Sequence, residues 1–117
     1  MTAEAASTLD EAKTVRNEFR EAVNMTVAEL EKWLATPESR EVGWKEEGQG
    51  ESVGHASGRR IVELLGKRAR DLSRDDLAHM RKVVGYVHRH LAQRPQAVEK
   101  SRWRYSLMNW GHDPMRR

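Results

Sequence analysis

No cysteine occurs in the chain, which removes disulfides and thiolate metal sites from consideration. No apolar run exceeds a few residues, so no segment is expected to cross a membrane. The first residues, Met1-Thr-Ala-Glu-Ala-Ala-Ser-Thr8, carry neither a basic leader nor an apolar stretch, and no signal peptide is expected. A cytoplasmic protein fits these absences. No segment alternates apolar and polar residues as a half-buried strand does, so the expected fold class is all-α. Proline is limited to Pro37, Pro95 and Pro114, each falling where a helix is expected to have stopped.

Acidic residues are scarce in one half only. Residues 1–55 hold 6 Lys/Arg and 12 Asp/Glu, a balance of −6, whereas residues 56–117 hold 15 and 6, a balance of +9. The two sum to the net charge of +3. Such asymmetry implies either a negatively charged partner for the second half or attraction between the halves within the fold. Apolar residues make up 38% of the chain and charged residues 33%, polar for a globular protein but sufficient for one modest core. The expected layout is a disordered start at 1–7, a single helical domain over 8–114 and a basic tail at 115–117.

About five helices are expected. Thr8 and Glu11 form a capping box, followed by Ala12, Val15, Phe19, Ala22 and Val23 at helical spacing. Thr26 and Glu29 form a second box, with Met25 and Leu30 as a hydrophobic staple, and Pro37 stops that helix at about Ala35. Residues 38–57, with Gly43, Gly48, Gly50 and Gly54, read as a long glycine-rich loop that Trp44 could pin to the core. A helix from about Gly58 to Ala69 turns Ile61, Leu64 and Leu65 inward, with Ser57 as its N-cap. Ser73 and Asp76 box the next helix, whose apolar face is Leu77, Met80, Val84, Val87 and Leu91. Val98, Trp103, Leu107 and Trp110 mark a last helix, closed by Gly111.

Two stretches attract anions. Ser57, Gly58, Arg59 and Arg60 would head a helix, where unpaired N–H groups, the helix dipole and two guanidinium forks suit phosphate. The competing reading is ion pairing with Glu63, yet one glutamate cannot neutralise Arg59, Arg60, Lys67 and Arg68 together. On the helix after Ser73, Arg81, Lys82, Gly85, His88 and Arg89 share a stripe beside the core face at about 100° per residue. That stripe suits a helix lying against phosphates, with Gly85 admitting a close backbone, or else it is an ordinary solvated face. Arg102 and Arg104 alternate with Trp103 and Tyr105 as single-strand binders do, although Trp103, Leu107 and Trp110 also share a face as core residues would.

Enzyme signatures are weak. In Gly54-His-Ala-Ser-Gly58 the serine is fourth of five, where a nucleophile elbow needs it third. His88 and His90 lie two apart and so point away from each other, unlike a zinc-binding pair. No catalytic residue, metal or cofactor is expected.

Three stretches resemble a family of small bacterial and fungal proteins of uncharacterised function. They are Glu51-Ser-Val-Gly-His-Ala-Ser-Gly-Arg-Arg-Ile-Val62, then His79-Met-Arg-Lys-Val-Val-Gly-Tyr-Val-His-Arg-His-Leu-Ala-Gln-Arg-Pro95, and Arg102-Trp-Arg-Tyr-Ser-Leu-Met-Asn-Trp-Gly-His-Asp-Pro114. The resemblance covers roughly residues 18–114, and its members are often labelled DNA-binding. It implies that the three stretches form one unit and that DNA binding is the expected role, but it transfers no functional residue.

The function expected is therefore nucleic-acid binding, double-stranded DNA before RNA, in a nucleoid-associated protein. The contacts expected are Arg59, Arg60, Lys67, Arg81, Lys82, His88 and Arg89, with Arg102 and Arg104 further out. Two alternatives stand beside it. One is a protein-interaction module, including a homodimer, without a nucleic-acid role. The other is a phosphorylated-ligand site, which requires a discrete pocket beside Ser57 and Arg60.

Overall fold

A computed structural model describes the backbone of residues 3–45 and 50–116, with side chains from Asp10 onward. The described residues form six α-helices and no strand: α1 (Ala3–Ala22), α2 (Val27–Leu34), α3 (Pro37–Glu41), α4 (Val53–Leu65), α5 (Arg74–Leu91) and α6 (Arg102–Asn109). A short 3-10 turn at Ala69–Asp71 precedes α5. Among the described residues no helix is long and apolar enough to cross a membrane.

The caps written into the sequence set several of these boundaries. Thr26 accepts from the Glu29 amide while Glu29 accepts from the Thr26 amide, and Met25 and Leu30 are both buried beside this box. Ser73 and Asp76 repeat the arrangement at α5. After α6, Gly111 adopts φ +81°, its N–H reaches Met108 O and the His112 N–H reaches Leu107 O. That pattern is a Schellman ending, and the left-handed residue it needs is the glycine.

Three expectations are corrected. The backbone is helical from Ala3, so the disordered start at 1–7 does not hold for 3–7 and Thr8 does not open the helix; Met1 and Thr2 lie outside the described residues. The long loop is shorter than 38–57, because Thr36 caps α3 through the Ser39 amide and α4 begins at Val53. Residues 46–49 of that connection lie outside the described residues. Trp44 does not pin the loop, since it is 66% exposed; Val42 and Ser52 are buried on either side of it. In the basic tail, the Arg116 guanidinium pairs with Glu29. Arg117 lies outside the described residues.

One core joins the helices. Phe19, Leu30, Ile61, Val83, Val87 and Leu107 are all but fully buried, and they come from α1, α2, α4, α5 and α6. Val83 lies outside the five-residue apolar face read from the spacing, and it widens that face toward α6. α1 packs along α5 and α2 on α4, while α6 sits among α2, α3, α4 and α5. The chain after α6 is then clamped onto the α1–α2 link. Asn24 Nδ2 donates to Asp113 O at 2.9 Å, Asp113 N donates to Asn24 Oδ1 at 2.8 Å, and Met25 N donates to Gly111 O at 3.2 Å.

Candidate nucleic-acid interface

Ser57 does not cap a helix. α4 begins one turn earlier, where Ser52 accepts from the His55 amide at 3.1 Å and Val53 N donates to Trp44 O at 2.8 Å. Ser57 and Gly58 therefore lie in the second turn, both buried, with their amides committed to the helix. A Cβ on Gly58 would sit 2.5 Å from the backbone oxygen of Asn109 and 2.7 Å from Leu34. This glycine lets α6 cross α4 closely, and it cannot serve an anion site. The anion at the true head of α4 belongs to the chain. Glu51 lies there, its carboxylate held by a two-pronged contact from Arg59, with Nε at 2.7 Å and Nη2 at 2.5 Å, and by the ring of His55. The Arg59 hydrogen bonds outweigh partial burial and hold Glu51 down to about 2.

Ion pairing also absorbs most of the other cations near α4. Asp76, buried at the start of α5, receives Lys67 Nζ at 2.8 Å and Arg60 Nη2 at 3.3 Å. The Lys67 contact, then the Ser73 amide, keeps its carboxyl well below the ordinary carboxylate range. Arg68 pairs with Asp71. Arg104 grips Asp113 through Nε at 3.0 Å and Nη2 at 3.1 Å and also donates to Glu99 O. Three acids, not one, thus balance the cluster around α4, and Glu63 is paired with none of these cations among the described residues.

The stripe on α5 has a different character. Arg81, Lys82, His88 and Arg89 are exposed, and none of them has an acidic partner within 4 Å among the described residues. Arg102, in the first turn of α6, is exposed in the same way. Gly85 is not approached by another backbone. The nearest atom to its missing Cβ is Arg89 Nη1 at 2.9 Å, so the Arg89 guanidinium lies back over the helix at this glycine.

Along the edge of α5 that faces α6, rings stack in sequence. His79 lies 6.2 Å from Trp110, Trp110 lies 4.3 Å from Tyr86, Tyr86 lies 5.1 Å from His90, and His90 lies 5.7 Å from Trp103, with interplanar angles of 12–15°. Arg94 caps the far end over Trp103 at 5.5 Å. Reciprocal bonds fix the Trp103 end, since Trp103 Nε1 donates to His90 O at 2.7 Å and His90 Nε2 faces Trp103 O at 3.1 Å. Trp33 Nε1 and the Ser39 hydroxyl both donate to Asn109 Oδ1, and Asn109 Nδ2 returns a bond to Ser39 O at 2.9 Å. That network makes a rigid floor from α2, α3 and α6.

Two clefts open beside Trp110. The first, about 270 Å³, is lined by Gly43, Trp44, Val53, Gly54, Lys82, Tyr86, Arg89, Ser106, Asn109 and Trp110. The second, about 470 Å³, is lined by Glu51, Ser52, Val53, Ala56, Ser57, Arg60, His79, Lys82 and Trp110. They share Val53, Lys82 and Trp110, so they adjoin across Lys82. In the second, Ser57 Oγ lies 2.9 Å from His79 Nε2. Burial, then the Arg60 and Lys82 charges, lowers the His79 pKa, so its ring is neutral near pH 7 and can accept from the serine. A nucleophile–base pair also needs a group orienting the base and donors for an oxyanion. Among the described residues no acceptor reaches the other ring nitrogen, and the amides around Ser57 are used by the helix.

Of the nine cations expected at the interface, the structure leaves Arg81, Lys82, His88, Arg89 and Arg102 open. It engages Arg59, Arg60, Lys67 and Arg104 in ion pairs with acids 8 to 16 residues away. Reading by spacing missed Trp44 as an exposed ring, missed Tyr86, and gave His79 no role. A usable signal existed for the last two: they share with Lys82 and Arg89 one side of α5, where rings border cations.

The chain belongs to the DUF3140 family of proteins of unknown function, whose model covers residues 18–108. That span runs from the second half of α1 to the last turn of α6 and stops short of the clamp at Gly111–Asp113. No curated protein and no solved structure matches the chain.

Proposed function

We propose that the protein binds nucleic acid, DNA in the first instance, through the exposed face of α5. The observation that carries this reading is the contrast between two sets of cations. Those around α4 are balanced by Glu51, Asp71 and Asp76, whereas Arg81, Lys82 and Arg89 are exposed on one helix with no acid beside them among the described residues. Cations so placed repel one another until something negative arrives, and a phosphate backbone supplies charge at matching intervals. Lys82 and Arg89 are seven residues apart, about 10 Å along the helix axis, which is the rise of about three nucleotides on one strand. Binding of this kind is positioned by the backbone and reads little sequence.

The salt dependence of affinity for a short duplex tests it. With Arg59, Arg60, Lys67 and Arg104 already paired, three or four phosphate contacts remain, so the log–log slope is expected at about −3 to −4. A flat response, or no binding at low salt, would rule the reading out. A second reading draws on the cleft beside Ser57 and Arg60, where a phosphorylated small molecule could sit with Lys82 at its edge. Saturable binding of a free nucleotide with no effect of duplex DNA would favour it.

A further inference from the structure

Resting on the nucleic-acid reading, we infer that the cleft beneath Trp44 is a nucleotide site: one unpaired base lies on Trp44 and its phosphates reach Lys82 and Arg89. Trp44, 66% accessible, is one of two large hydrophobic residues exposed among the described residues. It is displayed from an anchored backbone. Val42 is buried two residues before it, Gly43 turns the chain at φ +97°, and Trp44 O accepts from Val53 N at 2.8 Å. A fixed backbone that holds an indole in water, over an apolar cleft with two cations at its wall, matches what a base and its phosphate require together.

The cleft has the size and composition for one base. At about 270 Å³ it falls just below the range of about 300–1,000 Å³ usual for larger organic ligands. Gly43 and Gly54 leave its wall open, and Ser106 and Asn109 offer polar edges. A Cβ on Gly54 would stand 3.0 Å from Trp110 Nε1, and that indole N–H has no protein acceptor among the described residues. Trp110 cannot offer a face, because Tyr86 and His79 stack along it. Stacking therefore falls to Trp44. Past Lys82 the adjoining cleft continues with Arg60 and His79, a path for the neighbouring phosphate of a strand.

The same chemistry could come from a strand or from a free nucleotide, and three probes separate them: a short oligothymidylate, a blunt duplex and thymidine monophosphate. Tryptophan fluorescence and affinity are measured for the wild type, Trp44→Ala and Trp44→Phe. Both substitutions are at an exposed position and leave the core intact. The oligothymidylate is expected to quench the wild-type signal, to bind Trp44→Ala about 5- to 100-fold more weakly, and to recover most of its affinity with Trp44→Phe. Duplex affinity should stay within about twofold in all three proteins. Quenching by the monophosphate at micromolar concentration, lost in Trp44→Ala, also supports the site and identifies a free nucleotide as the source. Equal binding of the oligothymidylate to wild type and Trp44→Ala overturns this inference, while salt-dependent duplex binding then leaves the broader reading standing. If no probe binds at low salt, both fall.

Discussion

Gly58 and Gly85 both sit inside helices, where glycine costs about 1 kcal/mol relative to alanine, but their surroundings give opposite expectations. At Gly58 an added methyl meets the Asn109 carbonyl at 2.5 Å, and backbone cannot swing aside. Gly58→Ala is expected to lower stability by about 2–3 kcal/mol in urea unfolding, since the α4–α6 crossing must open. At Gly85 the methyl meets only the tip of Arg89, which can rotate away. Gly85→Ala is expected to raise stability by about 0.5–1 kcal/mol. Sequence alone ranked these two the other way round. Gly85 stood out because it interrupts a basic stripe, whereas Gly58 was hidden inside what looked like a cap, Ser-Gly-Arg-Arg. Nothing local distinguishes a glycine that admits another helix from one that does not; only the position of Asn109, 51 residues on, decides it.

At the scale of elements, the caps at Thr26 and Ser73, which have reciprocal partners, were legible, and those at Thr36, Ser52 and Ser101, which have none, were not. Thr26/Glu29, Ser73/Asp76 and Gly111 each carry their partner within a few residues. Ser52 has His55 three residues on instead of an acid, and nothing of that kind marks it as the start of α4. The one-turn shift from Ser57 to Ser52 moved a supposed anion site from the helix end to its interior, and the real end is occupied by Glu51. Asp76 shows how an element boundary becomes a tertiary tie, because it caps α5 and also holds Lys67 and Arg60 from the segment before it. Asp76→Ala is expected to cost about 2 kcal/mol, more than a cap alone, and Asp76→Asn somewhat less because the amide can still accept from Ser73. A loss no greater than 0.5 kcal/mol in thermal unfolding would show that the pairs around Asp76 contribute nothing.

For the whole molecule, the opposite charges of the two halves meet only in part. Glu51 and Glu29 reach Arg59 and Arg116 across the division, while Asp71, Asp76 and Asp113 balance cations of their own half. The pH response follows from the same pairs. Arg59 and Arg116 hold Glu51 and Glu29 down to about 2 from the ordinary 4.5, and these carboxyls bind protons less readily folded than unfolded. Their contribution is complete above about pH 4.5 and is lost as the pH falls toward 2. Burial lowers His79 and His90 from the ordinary 6.5, so below that pH the unfolded chain takes up protons first and folding weakens again. The melting temperature should thus decline as pH drops below about 6.5 and decline more steeply below 4.5. A rise between pH 6.5 and 5 would contradict these assignments. The all-α class could be read from periodicity and composition, because both are local. Which cations stay open could not, because each pairing depends on acids brought in by the fold.

That division between open and paired cations is the centre of the account, and one comparison tests it. Duplex affinity is measured at fixed low salt for the wild type, for Lys82→Glu/Arg89→Glu and for Arg59→Ala, each checked for folding by its helical signal. The double reversal is expected to abolish measurable binding, and milder Lys82→Gln/Arg89→Gln changes should reduce the salt slope by about 2. Arg59→Ala should bind within a few-fold of wild type, because its charge is already spent on Glu51. Binding that survives the reversal, or is lost equally in Arg59→Ala, would contradict the account.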